Sequence, residues 1–223
     1  YCNDLVFVPA SISYDWILEE KSYVKELGGE SKTKENFKQI LKSRHFLKRK
    51  YGKVYIRFNE PLSLKEYLSQ NSAGDGEAHR RLAFDLIRSI NSVTLVTPLA
   101  LTASAILTKH RQGFYIRELI STAGFLFKFI ERHGFPRAMS LNNFDKNIEE
   151  TLLILVNKKV VNLLNDINGD ESFYYIDEEK MPQLEYYKNS IIHCFIPHAF
   201  IAVSLLTGTE EIKPHNAIAD DYI

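Results

Sequence analysis

The run Leu5-Val6-Phe7-Val8, followed at once by Pro9, narrows the possible folds more than any other stretch of the chain. Unbroken apolarity with β-branched and aromatic side chains suits a strand buried on both faces, as in a parallel sheet covered by helices. Pro9 has no N–H to give to a ladder, so the strand must bulge, end or meet an edge there. Past it Ser11, Ser13 and Asp15 alternate with Ile12 and Tyr14, and one face turns polar. Ligands of open α/β sheets bind outside the carboxyl ends of the strands. That makes Ser11, Ser13 and Tyr14 candidate binding residues; the same change of face also fits a core strand leaving its sheet.

Composition sets outer limits. With 223 residues, 45% of them hydrophobic and 25% charged, the chain has material for one large domain or one and a half ordinary ones, and wholesale disorder is excluded. The formal charge is zero, so nothing global points to nucleic acid. Charge is unevenly spread, however: residues 21–57 are strongly basic and residues from Asp166 onward mostly acidic. The basic stretch fits an anionic ligand, an anionic membrane surface or simply a solvated helix face. Cys2 and Cys194 alone give no disulfide framework and no thiolate metal site, which favours a reducing, cytosolic-side location. The opening Tyr1-Cys2-Asn3 leads almost directly into the apolar run, as expected of a fragment cut inside a domain.

Periodicity then orders the chain. Helices are expected at about 16–27, stopped by Gly28-Gly29, and at about 37–51, stopped by Gly52. Val54-Tyr55-Ile56-Arg57-Phe58 alternates as a half-exposed strand, and Ser63-Leu64-Lys65-Glu66 is a capping box opening a short helix. Asn71-Ser72-Ala73-Gly74-Asp75-Gly76-Glu77 reads as a linker. It divides residues 1–70, the end of an α/β layer, from a helical domain at 78–223. In the latter, Leu82, Leu86, Ile90 and Val93 mark one helix, and Thr97-Pro98 caps and starts a second. A third follows Gly113 and a fourth begins near Asn143. The runs 159–163 and 173–176 flank Asn168-Gly169 as a small β-hairpin, and a last long helix at 179–206 should kink at Pro197. The fold class is thus α/β: part of an αβ layer, then a mainly helical domain.

No complete active site emerges from spacing alone. There is no Gly-x-Ser-x-Gly elbow, and neither glycine pair stands in phosphate-loop register. His193 and His198 are five apart, some 140° around a helix, which is poor geometry for one metal. With Cys194 they read as packed or capping side chains, and no metal is expected. The apolar stretches at 93–107, 125–130 and 191–206 fall short of the roughly twenty clean apolar residues of a membrane span. They read as core helices, with helices lying on a membrane surface left open.

Several segments taken together resemble the bacterial-type glycerol-3-phosphate acyltransferases and their dihydroxyacetone-phosphate relatives. Val6-Phe7-Val8-Pro9-Ala10-Ser11-Ile12-Ser13-Tyr14-Asp15 is similar to that family's fourth conserved block, a strand with a signature proline. Gly52-Lys53-Val54-Tyr55-Ile56-Arg57-Phe58-Asn59-Glu60-Pro61 resembles the family's sequence downstream of that block. So do Ile90-Asn91, Val96-Thr97-Pro98 and Leu184-Glu185-Tyr186-Tyr187-Lys188-Asn189-Ser190-Ile191-Ile192-His193, in consistent order along nearly the whole chain. The resemblance implies a membrane-associated enzyme on the cytoplasmic face of the cell membrane. It would move an acyl group from acyl-CoA or acyl carrier protein to the 1-hydroxyl of sn-glycerol-3-phosphate, with no other cofactor. The family's catalytic base is the His of a His-x4-Asp pair, expected upstream of Tyr1, so no catalytic residue is assigned within this chain. His215 to Asp220 has that spacing without the apolar strand before it, and His79 to Asp85 is one residue too long.

Pro9 matches the family's proline beside the glycerol-phosphate pocket, which with Ser11, Ser13 and Tyr14 completes the candidate substrate-binding set. Lys32, Lys34 and Arg57 are further candidates for positive potential near a phosphate or a coenzyme A tail. Expected partners are the acyl donor, glycerol-3-phosphate and a membrane surface, with no nucleic acid. Three other readings remain. One is a dihydroxyacetone-phosphate acyltransferase. Another is a non-enzymatic module in which the helix–helix–hairpin run at 114–176 forms a winged helix. The third is a membrane-surface adaptor.

Overall fold

Pro9 splits the N-terminal run in two. The computed structural model describes residues 3–14, 53–70, 77–164 and 172–207. The helices expected at 16–27 and 37–51, most of the linker, Lys32, Lys34 and the His215–Asp220 spacing lie outside those residues. Strand β1 (Val6–Phe7) precedes the proline and β2 (Ala10–Tyr14) follows it. β2 pairs antiparallel along its whole length with β3 (Val54–Phe58), Ala10 opposite Phe58 and Tyr14 opposite Val54. β1 pairs antiparallel with β4 (Leu62–Ser63). Pro9 cannot donate to either ladder, but its carbonyl accepts from the Asn59 amide at 2.9 Å, so the two pairings remain joined.

A doubly buried parallel strand at 5–8 is therefore not what forms. The ladder is antiparallel and only two residues long, and Leu5, Val6 and Val8 are 52%, 54% and 53% exposed. Burial on both faces needs layers on both sides of a sheet. Among the described residues these ribbons have a neighbour on one side only. The β3 face, expected half-buried, is equally open: Ile56 and Phe58 are 56% and 66% exposed. The content is mixed helix and sheet, in keeping with the α/β class.

Short helix α1 (Leu64–Gln70) starts where the capping signal placed it. The Glu66 amide donates to Ser63 Oγ at 3.1 Å, Ser63 Oγ donates to Asp4 Oδ2 at 2.6 Å, and the Lys65 amide donates to Asp4 Oδ1 at 3.0 Å. The Ser63 hydroxyl, and after it the Lys65 amide, hold the Asp4 carboxyl below its ordinary value. Helix α2 (Ala78–Val93) packs on β2 and β3. It is fixed there by Asn59, whose Nδ2 donates to Ser89 Oγ and Ser92 Oγ, both at 2.9 Å. The Tyr67 hydroxyl donates to Asp85 Oδ2 at 2.6 Å, tying α1 to α2.

Helix α3 (Pro98–Lys109) is the hub. Thr97 Oγ1 accepts from the Ala100 amide at 3.3 Å, and Pro98 occupies the first turn, where no donor is lost. Every residue from Pro98 to Leu107 is buried, Thr102 and Ser104 included, so the helix has neighbours on all sides. Ala100, Ala103, Ser104 and Ala105 let those neighbours approach closely. They are α4 (Ile116–Arg132), α5 (Phe144–Asn157) and, most extensively, α6 (Met181–Asn189). Leu101, Ile106, Leu119, Ile130, Ile148, Leu152, Leu155, Leu184 and Ile191 fill the space between them.

The expected hairpin is there with one more strand. β5 (Phe114–Tyr115), β6 (Asn162–Leu164) and β7 (Phe173–Tyr175) form an antiparallel sheet in the order β5-β7-β6. Fully buried Phe114 stacks on Tyr174 with ring centroids 5.6 Å apart. Gly113, at φ +145°, is where the chain turns into β5, and a Cβ there would stand 2.3 Å from Phe173 Cζ.

The last expected helix is not continuous. α6 ends at Asn189, a 3-10 turn covers Ile192–Cys194, and α7 (Ile196–Thr207) starts afresh. Pro197 is the second residue of α7, where its missing N–H costs nothing, and the interruption lies before the proline rather than at it. α7 carries no charged residue, and Ile201, Val203, Leu205 and Leu206 are exposed on it.

Candidate functional site

β2, while paired with β3, also lies against the junction of α2 and α3, and its serines make the contact. Thr94 Oγ1 donates to the Ile90 carbonyl at 3.0 Å, so in the 2.8 Å pair between the two hydroxyls Ser11 is the donor and Thr94 the acceptor. The Leu95 amide donates to Ser13 Oγ at 3.3 Å. Two residues apart on one strand face, these serines fasten β2 to the α2–α3 connection.

Beside that seam lies a cleft of about 290 Å³. β2 supplies Ile12, Ser13 and Tyr14; the connection supplies Thr94, Leu95 and Thr97; the end of α6 supplies Tyr186, Tyr187, Asn189 and Ser190. None of these side chains is charged. The polar ones are hydroxyls and one carboxamide, set among aromatic rings and aliphatic chains.

The sequence-expected site residues divide here. Ser13 and Tyr14 line the cleft. Ser11 is buried and spends its proton on Thr94, and Pro9 is buried at the ladder crossing; neither is among the lining residues. Arg57 lies opposite Ser11 on β3, exposed and away from the cleft. Missed as site residues were Thr94, Thr97, Tyr186 and Asn189. Thr97 was legible as a cap and Tyr186 and Asn189 as parts of a resembling segment, but no periodicity marks them as neighbours of β2.

The cysteine and histidines are packed groups. Cys194 is buried next to His193, and burial pushes its thiol up to about 12, so it stays protonated and unreactive at neutral pH. Burial also pushes the His193 imidazole below its ordinary value, partly offset by a hydrogen bond to the Asn91 backbone. His198 stands edge-on to Phe129, centroids 5.0 Å apart, and against His133. Among the described residues no three histidines, cysteines or carboxylates gather in a way that could hold a metal ion.

A second, more open hollow lies between the end of α3 and α4, lined by Lys109, His110, Arg117 and Glu118 among others. Its charges are of both signs. His110 Nε2 is 2.8 Å from Thr122 Oγ1, and burial lowers the His110 pKa.

The first cleft gathers residues from three segments far apart in the chain: β2, the Thr94–Thr97 connection and Tyr186 to Ser190. All three lie in or beside the segments on which the family resemblance rests. The C-terminal region of glycerol-3-phosphate acyltransferases matches residues 23–221. The chain belongs to that family. A glycerol-3-phosphate acyltransferase of Pseudomonas putida is 28% identical over 222 residues, covering 92% of this chain and 26% of the relative. One of Pseudomonas fluorescens is 26% identical over 213 residues, and one of Pseudomonas aeruginosa 28% identical over 215, each covering 89% of this chain and 25% of the relative. The chain thus spans about a quarter of the length of the curated acyltransferases it matches.

Proposed function

We propose that this chain is the C-terminal portion of a glycerol-3-phosphate 1-O-acyltransferase and that the cleft beside β2 is part of its substrate site. The observation that carries the reading is the convergence of the three resembling segments on one cleft. In the proposed reaction a base takes the proton of the sn-1 hydroxyl and the oxygen attacks the thioester carbonyl of acyl-CoA or acyl carrier protein. The carbon–sulfur bond then breaks, releasing lysophosphatidate and the thiol. No resident cofactor is required. The base belongs to the part of the relatives that this chain does not span, and the strands β1 to β4 belong to the α/β layer that carries it. The exposed apolar side chains of Ile12, Val54, Ile56 and Phe58, on one face of the β2–β3 ribbon, support this placement.

A membrane surface on the cytoplasmic side is part of the proposal. No described helix is long and apolar enough to cross a membrane, and uncharged, exposed α7 is suited to lie on one. The winged-helix reading loses ground on charge. α5, in the place of a recognition helix, carries Asp145, Glu149 and Glu150 against one lysine, Lys146.

Full-length enzyme given glycerol-3-phosphate and radiolabelled palmitoyl-CoA should form lysophosphatidate, whereas this chain alone should form none. Acylation of dihydroxyacetone phosphate in place of glycerol-3-phosphate would assign the enzyme to the neighbouring group instead. In the full-length enzyme, Asn189→Trp, which fills the cleft, should lower kcat/KM at least tenfold.

A further inference from the structure

We infer that the cleft between β2 and the end of α6 holds the pantetheine arm of the acyl donor, rather than the glycerol phosphate or the acyl chain. This rests on the acyltransferase reading above and assigns the cleft one part of one substrate. Charge excludes the phosphate-bearing groups. No lysine, arginine or histidine is among the described lining residues, and a phosphate drawn in among them would lose water without gaining a cation.

Hydrogen-bonding capacity excludes the hydrocarbon chain. Ser13 Oγ accepts from the Leu95 amide and Thr97 Oγ1 from the Ala100 amide, so each hydroxyl still has its proton to give. Asn189 adds a carboxamide with both a donor and an acceptor. A saturated chain seated there would leave these groups without partners, at a cost for each. A ligand that alternates amides with short aliphatic links satisfies them and still covers Ile12, Tyr14 and Leu95. The pantetheine arm is built that way: two amides, two short methylene links and a dimethyl-substituted carbon. At about 290 Å³ the cleft lies at the small end of ligand pockets, with room for an arm but not for a whole coenzyme.

Coenzyme A and a carrier protein present the same arm, and binding to the chain tells them apart. In nuclear magnetic resonance titrations of the isotope-labelled chain, pantetheine should saturably shift the signals of Ser13, Thr97 and the Asn189 side chain. Asn189→Trp should abolish those shifts, and the size-matched Asn189→Leu should weaken binding about tenfold, the loss expected for a hydrogen-bonded pair. Tighter binding of coenzyme A than of holo carrier protein would identify the nucleotide-linked donor, and the reverse order the protein-linked one; either supports the assignment. Glycerol-3-phosphate or decanoate shifting these signals at lower concentration than pantetheine would overturn it while leaving a substrate site in place. Silence from all three probes would remove both the assignment and the cleft's part in substrate binding.

Discussion

Helix α3 and the β1–β4 ribbons are both rich in apolar side chains, yet they stand in opposite surroundings. Leu101, Ala103, Ala105 and Ile106 are wholly buried, enclosed by α4, α5 and α6 of the same chain. Leu5, Val6, Val8, Ile12, Ile56 and Phe58 are each more than half exposed. Two-stranded ribbons with open apolar faces are marginal by themselves. Here they are held by a few polar fastenings: Asn59 on α2, Ser11 on Thr94, and Asp4 on the start of α1. The helical region is a closed core, whereas the ribbon region presents apolar side chains that nothing among the described residues covers.

The largest expected effect tests that contrast directly. Leu101→Ala removes a wholly buried side chain from the most enclosed helix and should cost about 3 kcal/mol in urea denaturation of this chain. Ile56→Ala and Val6→Ala, at sites already open to water, should each cost less than about 0.5 kcal/mol. Equal losses at Ile56 and Leu101 would mean that the ribbon face is covered in solution, and the contrast would fail. In the full-length enzyme the proposal requires the Ile56→Ala cost to rise toward the core value.

Acidification separates the regions by a smaller effect. Burial depresses the pKa of His110 at the end of α3, and that of His193 beyond α6, below the ordinary 6.5. The folded chain therefore binds fewer protons than the unfolded one in that range. The corresponding stability is complete above about pH 6.5 and is lost as pH falls through the lower, folded-state values. Asp4, in the ribbon region, is shifted below 3.8, so its contribution persists to much lower pH. Thermal unfolding between pH 7.5 and 5 should show declining stability, and the decline should flatten in a His110→Gln, His193→Gln double variant. An unchanged slope in that variant would place the acid sensitivity elsewhere.

What the sequence disclosed obeys the same division. Where local chemistry decides, it was legible: Thr97-Pro98 starts α3, Ser63 caps α1, and the spacing of Leu82, Leu86, Ile90 and Val93 gives α2. Where the answer depends on what lies opposite, it was not. The apolar run at 5–8 reads as doubly buried because apolarity records what a strand is suited to meet, and in this chain nothing described meets its outer face. Asn168-Gly169 announced a hairpin, but β5 comes from the other side of α4 and α5, and only tertiary pairing adds it. The break before α7 was blurred for another reason. Apolar spacing persists through Ile191 and Phe195, while a proline suits the first turn of a helix as well as a kink within one, so Pro197 does not by itself place the break. Of the site, Ser13 and Tyr14 were visible at the end of β2. Asn189 and Thr97 became their neighbours only when α6 folded onto α3.

The smallest effect concerns the seam between the two regions. Because Thr94 gives its proton to the Ile90 carbonyl, Ser11 must be the donor in the hydroxyl pair, and the two side chains act as one short chain from β2 to α2. Ser11→Ala leaves the Thr94 hydroxyl bound to Ile90 and removes only the inter-element link. Thr94→Val removes both bonds and strands the buried Ser11 hydroxyl. Thr94→Val should therefore be the costlier single change, and the double variant should cost less than the sum of the two, with a coupling of about 1 kcal/mol. Loss of the link should also loosen the cleft wall, because Ser13 sits two residues further along the same strand. Hydrogen exchange at the Leu95 amide, which Ser13 accepts, should accelerate in Ser11→Ala while exchange within α3 stays unchanged. Equal acceleration in both places would show that ribbon and bundle open together, and the two regions would then be one cooperative unit.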